Sequence, residues 1–188
     1  PRPWTAATFS LNFQRGYAIG TAMVQYRLPA ALALLAALCV TTLIRSAIYD
    51  SEVSLYTDVV AKSPNKARPS NNLGDALKKA GRFEEAGPRF ERALALQPDY
   101  PDALNNLATI YGSSGRREDA LLLLTRALAL DPGHRQARFN LAMTYYERGM
   151  LAEADQQYAI LMQIAPQSSE AASAWKMRAM IQGQRPSP

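Results

Sequence analysis

The chain is short of the residues that carry covalent and metal chemistry. Cys39 is the single cysteine in 188 residues and lies inside an apolar run, which excludes an intrachain disulfide and a thiolate metal cluster. His134 is the single histidine; it follows Pro132 and Gly133 in a turn, where a lone histidine reads as a solvated residue. No glycine-rich phosphate loop, nucleophile elbow or zinc-ligand spacing occurs. Acidic pairs do recur, at Glu84-Glu85 and Glu118-Asp119, with Glu153 and Asp155 nearby. Each falls at the expected start of a helix, where negative charge complements the helix dipole and needs no catalytic explanation. The chain is expected not to be an enzyme and to need no cofactor or metal.

Charge of one sign is also scarce. The net charge of +5 is unevenly held: residues 1–66 carry six Lys/Arg against three Asp/Glu, and the remainder fifteen against thirteen. A nucleic-acid binder concentrates its basic residues into a patch, so no nucleic-acid partner is expected. Leu28 to Ile44, LPAALALLAALCVTTLI, holds no charge over seventeen residues and is flanked by Arg27 and Arg45. Extended through Arg45 to Tyr49 it gives about 22 residues, or roughly 33 Å of helix, enough to cross a hydrocarbon core. A transmembrane helix is therefore expected over 27–49, with membrane contact through Leu28–Ile44 and Tyr26 and Tyr49 as interfacial aromatics. Residues 1–26, with Trp4, Phe9, Leu11, Phe13 and Tyr17 and few charges, read as a membrane-flanking, interfacial segment. The arginines ahead of the run favour a cytoplasmic N-terminus, so a single-pass membrane protein with its C-terminal part periplasmic or lumenal is expected.

The rest of the chain repeats. Intervals 67–100, 101–134 and 135–168 align at 34 residues without gaps. Leu73, Leu107 and Leu141 coincide; so do the small residues Gly74, Ala108 and Ala142, then Leu77, Tyr111 and Tyr145. Gly81, Gly115 and Gly149 follow, then Ala86, Ala120 and Ala154, four residues before Phe90, Leu124 and Tyr158. Pro98, Pro132 and Pro166 close the units. The spacing predicts two helices per unit: small residues let them approach, glycine ends the first in a left-handed conformation, and proline stops the second. This pattern resembles the tetratricopeptide repeat family, whose 34-residue signature places these residue types at these offsets. The resemblance implies an all-α fold: a single transmembrane helix, then an α-solenoid of helix-turn-helix repeats. Residues 50–66 read as a half repeat, 169–183 as a capping helix with Trp175 and Met177 on its apolar side, and 184–188 as a disordered tail.

Two stretches stand out within the repeats, NNLGDALKKAG from Asn71 and NNLATIYGSSG from Asn105. Asparagine is a poor helix former because its amide competes for backbone groups, yet it recurs in phase just inside a helix. In such repeats the first helix of each pair lines the concave surface. Positions two, five, six, nine, twelve and thirteen of each unit avoid the leucine and small-residue stripe and are expected there. Position six is Asn72, Asn106 and Asn140; position five is Asn71, Asn105 and Phe139. Asp75, Lys78, Met143 and Tyr146 complete the expected groove, with Arg68, Lys79, Asp102 and Glu147 around it. A row of amides can donate to and accept from the main chain of an extended peptide, or can instead bond between neighbouring helices. The row resembles the asparagines lining the repeat superhelix of O-linked N-acetylglucosamine transferase, which implies peptide-backbone contact. The basic clamp of chaperone-tail-binding repeats is missing, because positions five and six hold Asn71, Asn72 and Asn140.

Two functional expectations follow. The first is a membrane-anchored scaffold or adaptor that docks a protein or peptide partner in its groove, as a subunit of a larger membrane complex. The alternative rests on the junction from Ile48 to Leu77, which resembles the passage into the repeats of transmembrane and tetratricopeptide-containing O-mannosyltransferases. It implies the non-catalytic C-terminal region of a polytopic membrane glycosyltransferase.

Overall fold

The computed structural model describes residues 31–44, Ala47 and 50–184. The expected interfacial segment, 1–26, lies outside them; so does the expected tail 184–188 except Gln184, which is the last residue of a helix rather than part of a tail. The chain divides between residues 48 and 49 into two compact units.

In the first unit residues 31–44 are helical, with side chains exposed along the whole length. These 14 residues span about 21 Å at 1.5 Å per residue, short of the roughly 30 Å of a hydrocarbon core. Among the described residues no helix is long and apolar enough to cross a membrane. This corrects the expected transmembrane helix over 27–49, and with it the single-pass localisation, the periplasmic or lumenal placement, and the membrane as a partner through Leu28–Ile44. The expectation reached 22 residues only by counting the flanks, most of which lie outside the described residues.

The second unit begins with a helix over 50–62, here α1. Three hairpins follow: α2 (Ala67–Lys79) with α3 (Phe83–Leu96), α4 (Pro101–Ser113) with α5 (Arg117–Leu130), and α6 (Arg135–Glu147) with α7 (Leu151–Ile164); α8 spans Ser169–Gln184. Every described element of this unit is α-helical. The first helix of each hairpin ends the same way. Gly81, Gly115 and Gly149 take φ of +79, +81 and +75°, which costs an L-residue energy and glycine nothing. At the first of these ends the Gly81 N–H donates to the Lys78 carbonyl at 3.0 Å and the Arg82 N–H to the Leu77 carbonyl at 2.9 Å. This crossed pair of bonds satisfies carbonyls left over at the helix end. The second helices end at Leu96, Leu130 and Ile164, two residues before the prolines that could not have continued them.

Packing is one-dimensional, each core joining a hairpin to its successor. The first gathers Val53 of α1, Leu73, Ala76 and Leu77 of α2, Ala86 and Phe90 of α3, and Leu107 of α4. A Cβ at Gly74 would stand 2.6 Å from the Phe90 ring, so glycine there is a condition of the α2–α3 approach. The second core runs from Leu104 and Leu124 to Leu141; the third joins Ala142, Ala154, Tyr158 and Leu161 to Ala174 and Ile181 of α8. The layer of first helices is continuous, as α2 touches α4, α4 touches α6 and α6 touches α8, whereas α3, α5 and α7 make no such contacts among themselves. A double layer held closer on one side curves towards that side. The first helices therefore line the concave face.

The capping helix differs from expectation in one respect. Met177 packs against the third core, but Trp175 is 63 % exposed. The side chains that α8 turns inward are Ala171, Ala174 and Ile181, a seam of period 3.5 that Trp175 flanks without joining. Ion pairing of Arg178 with Asp155, at 2.8 Å, fixes α8 against α7.

Candidate functional site

The concave face carries two regions of different chemistry. Over the first two repeats it is lined by carboxamides and a charged cluster, and these side chains bond chiefly to one another. Asn71 and Asn105 are almost fully covered, at 6 and 5 % exposure; Asn72, Asn106 and Asn140 are half-buried. The Asn106 Nδ2 donates to Asn71 Oδ1 at 3.2 Å, and Asn140 Nδ2 donates to Asn105 Oδ1 at 2.8 Å. Position six of one repeat thus bonds position five of the repeat before it, 35 residues earlier. A buried amide without a partner is costly, so the second asparagine of each pair answers the need of the first.

Neighbouring side chains complete the pattern. Lys78 donates from Nζ to Asn106 Oδ1 at 2.8 Å and lies 3.1 Å from Asp75, with Lys79 3.0 Å from the same carboxylate. Burial works to raise the pKa of the Asp75 carboxyl, but hydrogen bonds from Lys79 and Lys78 outweigh it and hold the group below its ordinary range. Asn140 Nδ2 also reaches Thr109 Oγ1 at 3.4 Å, and Asn140 Oδ1 accepts from Gln136 at 3.3 Å. Each amide nitrogen carries two hydrogens. Asn140 uses both, Asn106 uses one, and Asn72 makes no side-chain hydrogen bond among the described residues.

The third repeat presents an apolar end. Phe139 stands at position five, where the earlier repeats have asparagine, and its ring centroid is 5.7 Å from that of Tyr158. Met143 and Tyr146 of α6 and Met177 of α8 pack on the same core, partly exposed. Tyr158 is fully buried, and its hydroxyl has no hydrogen-bond partner among the described residues. Burial, with Tyr146 and Glu147 nearby, pushes this hydroxyl above the ordinary phenol range. Glu147 is paired with Arg117 at 3.3 Å.

Sequence reasoning missed two features. His134 is a structural link: its Nδ1 accepts from the Ala137 N–H at 3.3 Å, capping α6, while Nε2 lies 3.1 Å from Asp102 of α4. Because Nδ1 is the acceptor, Nε2 carries the hydrogen and donates to Asp102. A histidine one residue ahead of a helical pattern was the available signal. The second is which amides pair: bonding between neighbouring helices was the alternative expected for the row, but its register, position six to position five of the repeat before, was not. Among the described residues no three His, Cys, Asp or Glu side chains converge as metal ligands.

These features define a class, an α-solenoid of helical hairpins with a side-chain-lined concave face. The chain matches the tetratricopeptide repeat family over residues 65–133 and again over 112–181. It belongs to that family, and its repeat array is a protein-interaction scaffold. Over 69 residues it is 41% identical to the protein O-mannosyl-transferase Tmtc2 of Drosophila melanogaster, 37% of this chain and 7% of that protein, so it spans a small fraction of this relative. Among solved structures it is similar to MamA, at 19% identity over 72% of this chain and 90% of that one, with a TM-score of 0.58. It is also similar to the first TPR of Spaghetti (RPAP3), solved bound to the HSP90 peptide SRMEEVD, at 20% identity over 63% and 97% of the two chains, TM-score 0.59. At these identities the likeness is one of fold.

Proposed function

We propose that the concave face holds an extended segment of a partner polypeptide, its main chain bonded to Asn72 and to the second amide hydrogen of Asn106. One observation carries this reading: the amide row is satisfied internally at Asn140, half satisfied at Asn106, and open at Asn72. Amides that donate and accept side by side suit a peptide backbone, which offers both groups at each residue. Lys78 and Lys79 both pair with Asp75, and Lys79 also lies 3.9 Å from Glu52, so neither lysine is a free cation for an acidic tail.

The test is an array of end-capped decapeptides probed with the full 188-residue chain, then with Asn72→Ala. Captured peptides should lose about tenfold in affinity, roughly 1.4 kcal/mol, while the melting temperature stays that of the wild type. Retention of every captured peptide at full affinity by Asn72→Ala would remove the reading. Copurification from the native source reads whether the scaffold belongs to a larger assembly.

The match to the fly O-mannosyl-transferase favours a second reading, in which these repeats are the non-catalytic region of a larger transferase of that kind. A native transcript encoding transferase sequence ahead of Pro1 supports it, and a separate short transcript removes it.

A further inference from the structure

The groove changes character along its length in a way that specifies the peptide as well as the place where it binds. Position twelve of the three repeats is Lys78, Gly112 and Tyr146. The first is occupied by its bonds to Asp75 and Asn106, and the third packs on the apolar core of α6, α7 and α8. Between them Gly112 leaves a gap. A Cβ built on it would meet no atom within 4 Å, and its φ is not positive. Gly112 is the penultimate residue of α4, and neither packing nor a left-handed backbone requires glycine there. What the glycine provides is open space on the concave side.

Beyond the gap lie Phe139, Met143, Tyr146 and Met177, all partly exposed and packed on one core. Beneath them solvent does not reach the Tyr158 hydroxyl, which has no partner among the described residues. A surface this well sealed is an apolar seat, and its two methionines can reshape around different apolar side chains. Resting on the peptide reading above, we infer that the groove selects an extended segment with a bulky apolar residue, methionine, leucine or phenylalanine. That residue seats on Phe139, Met143, Tyr146 and Met177 while the main chain passes through the gap at Gly112. No free, acidic C-terminus is required.

The peptide array tests this with two variants of the full chain. Gly112→Leu places its Cβ where no atom lies within 4 Å and extends into the gap, so its melting temperature should be no lower than that of the wild type, while affinity for captured peptides falls at least about tenfold. Met143→Ala should weaken peptides with an apolar residue at the selected position and leave their alanine-substituted versions unchanged. Among wild-type binders, methionine, leucine or phenylalanine should be enriched at one position, with amidated and free-acid peptides bound alike. Capture that is lost in Asn72→Ala but indifferent to Gly112→Leu, or that needs a free acidic end, overturns this inference and leaves the peptide reading standing. An array that captures nothing overturns both.

Discussion

The junctions between repeats one and two, and two and three, differ from the junction between repeat three and α8. In the inner pair, neighbouring first helices are tied by carboxamides, Asn106 to Asn71 and Asn140 to Asn105. At the outer one Phe139 replaces the acceptor asparagine, α8 supplies the buried Ala174 and Ile181, and contact is through these, rings and methionines. Directional bonds between covered amides are satisfied in one register only. Apolar contact tolerates small shifts and repacking. The inner junctions therefore hold the array's geometry, and the outer one is the adaptable end.

The largest expected effect lies at the outer junction. Ile181 is fully buried, and Ile181→Ala should cost about 2–5 kcal/mol, read by urea unfolding with loss of α8 protection in hydrogen exchange. An equal loss of protection throughout would mean that the outer junction is not a separate unit. At the inner junctions Asn140→Ala strands Asn105 Oδ1 and should cost about 1–3 kcal/mol; Asn72→Ala should cost less than about 0.5 kcal/mol. Equal effects would break the distinction between committed and open amides. Tyr158→Phe removes the unpartnered hydroxyl and should raise stability by about 1 kcal/mol, with no change at the amide-tied junctions. The smallest effect is acid dependence at Asp75. Its folded pKa lies below the ordinary 3.8, so its contribution is present above that value and is lost as pH falls through the lower folded one. The difference in melting temperature between wild type and Asp75→Asn should therefore be largest near neutrality and shrink below about pH 4.

Much of the array was legible in the chain because it depends on local rules. Gly81, Gly115 and Gly149 mark helix ends whose backbone sign glycine alone adopts cheaply, and the recurring Leu73, Leu107 and Leu141 mark the buried stripe. The apolar run before it misled: hydropathy alone extended a helix across flanks that are not described, and the described part falls short of a bilayer. Trp175 misled for another reason. It was expected on the apolar side of the capping helix, but Ala171, Ala174 and Ile181 are the side chains α8 buries and Trp175 stays exposed.

The candidate site was legible as a set of positions and not as a set of bonds. Asn71, Asn72, Asn105, Asn106 and Asn140 could be assigned to the first helices from the period. Which amides are committed and which are open depends on side chains 35 residues apart meeting across a helix interface. The same holds for Lys78 on Asn106, for His134 linking α6 to Asp102, and for the gap at Gly112.

By itself the sequence determined the repeat, its helix ends and the residues facing each layer, because a 34-residue period and backbone sterics act within one hairpin. Only the tertiary structure decided which of those polar groups satisfy each other and where the concave face stays open. Hydrogen bonds and empty space between repeats exist only once the hairpins have stacked.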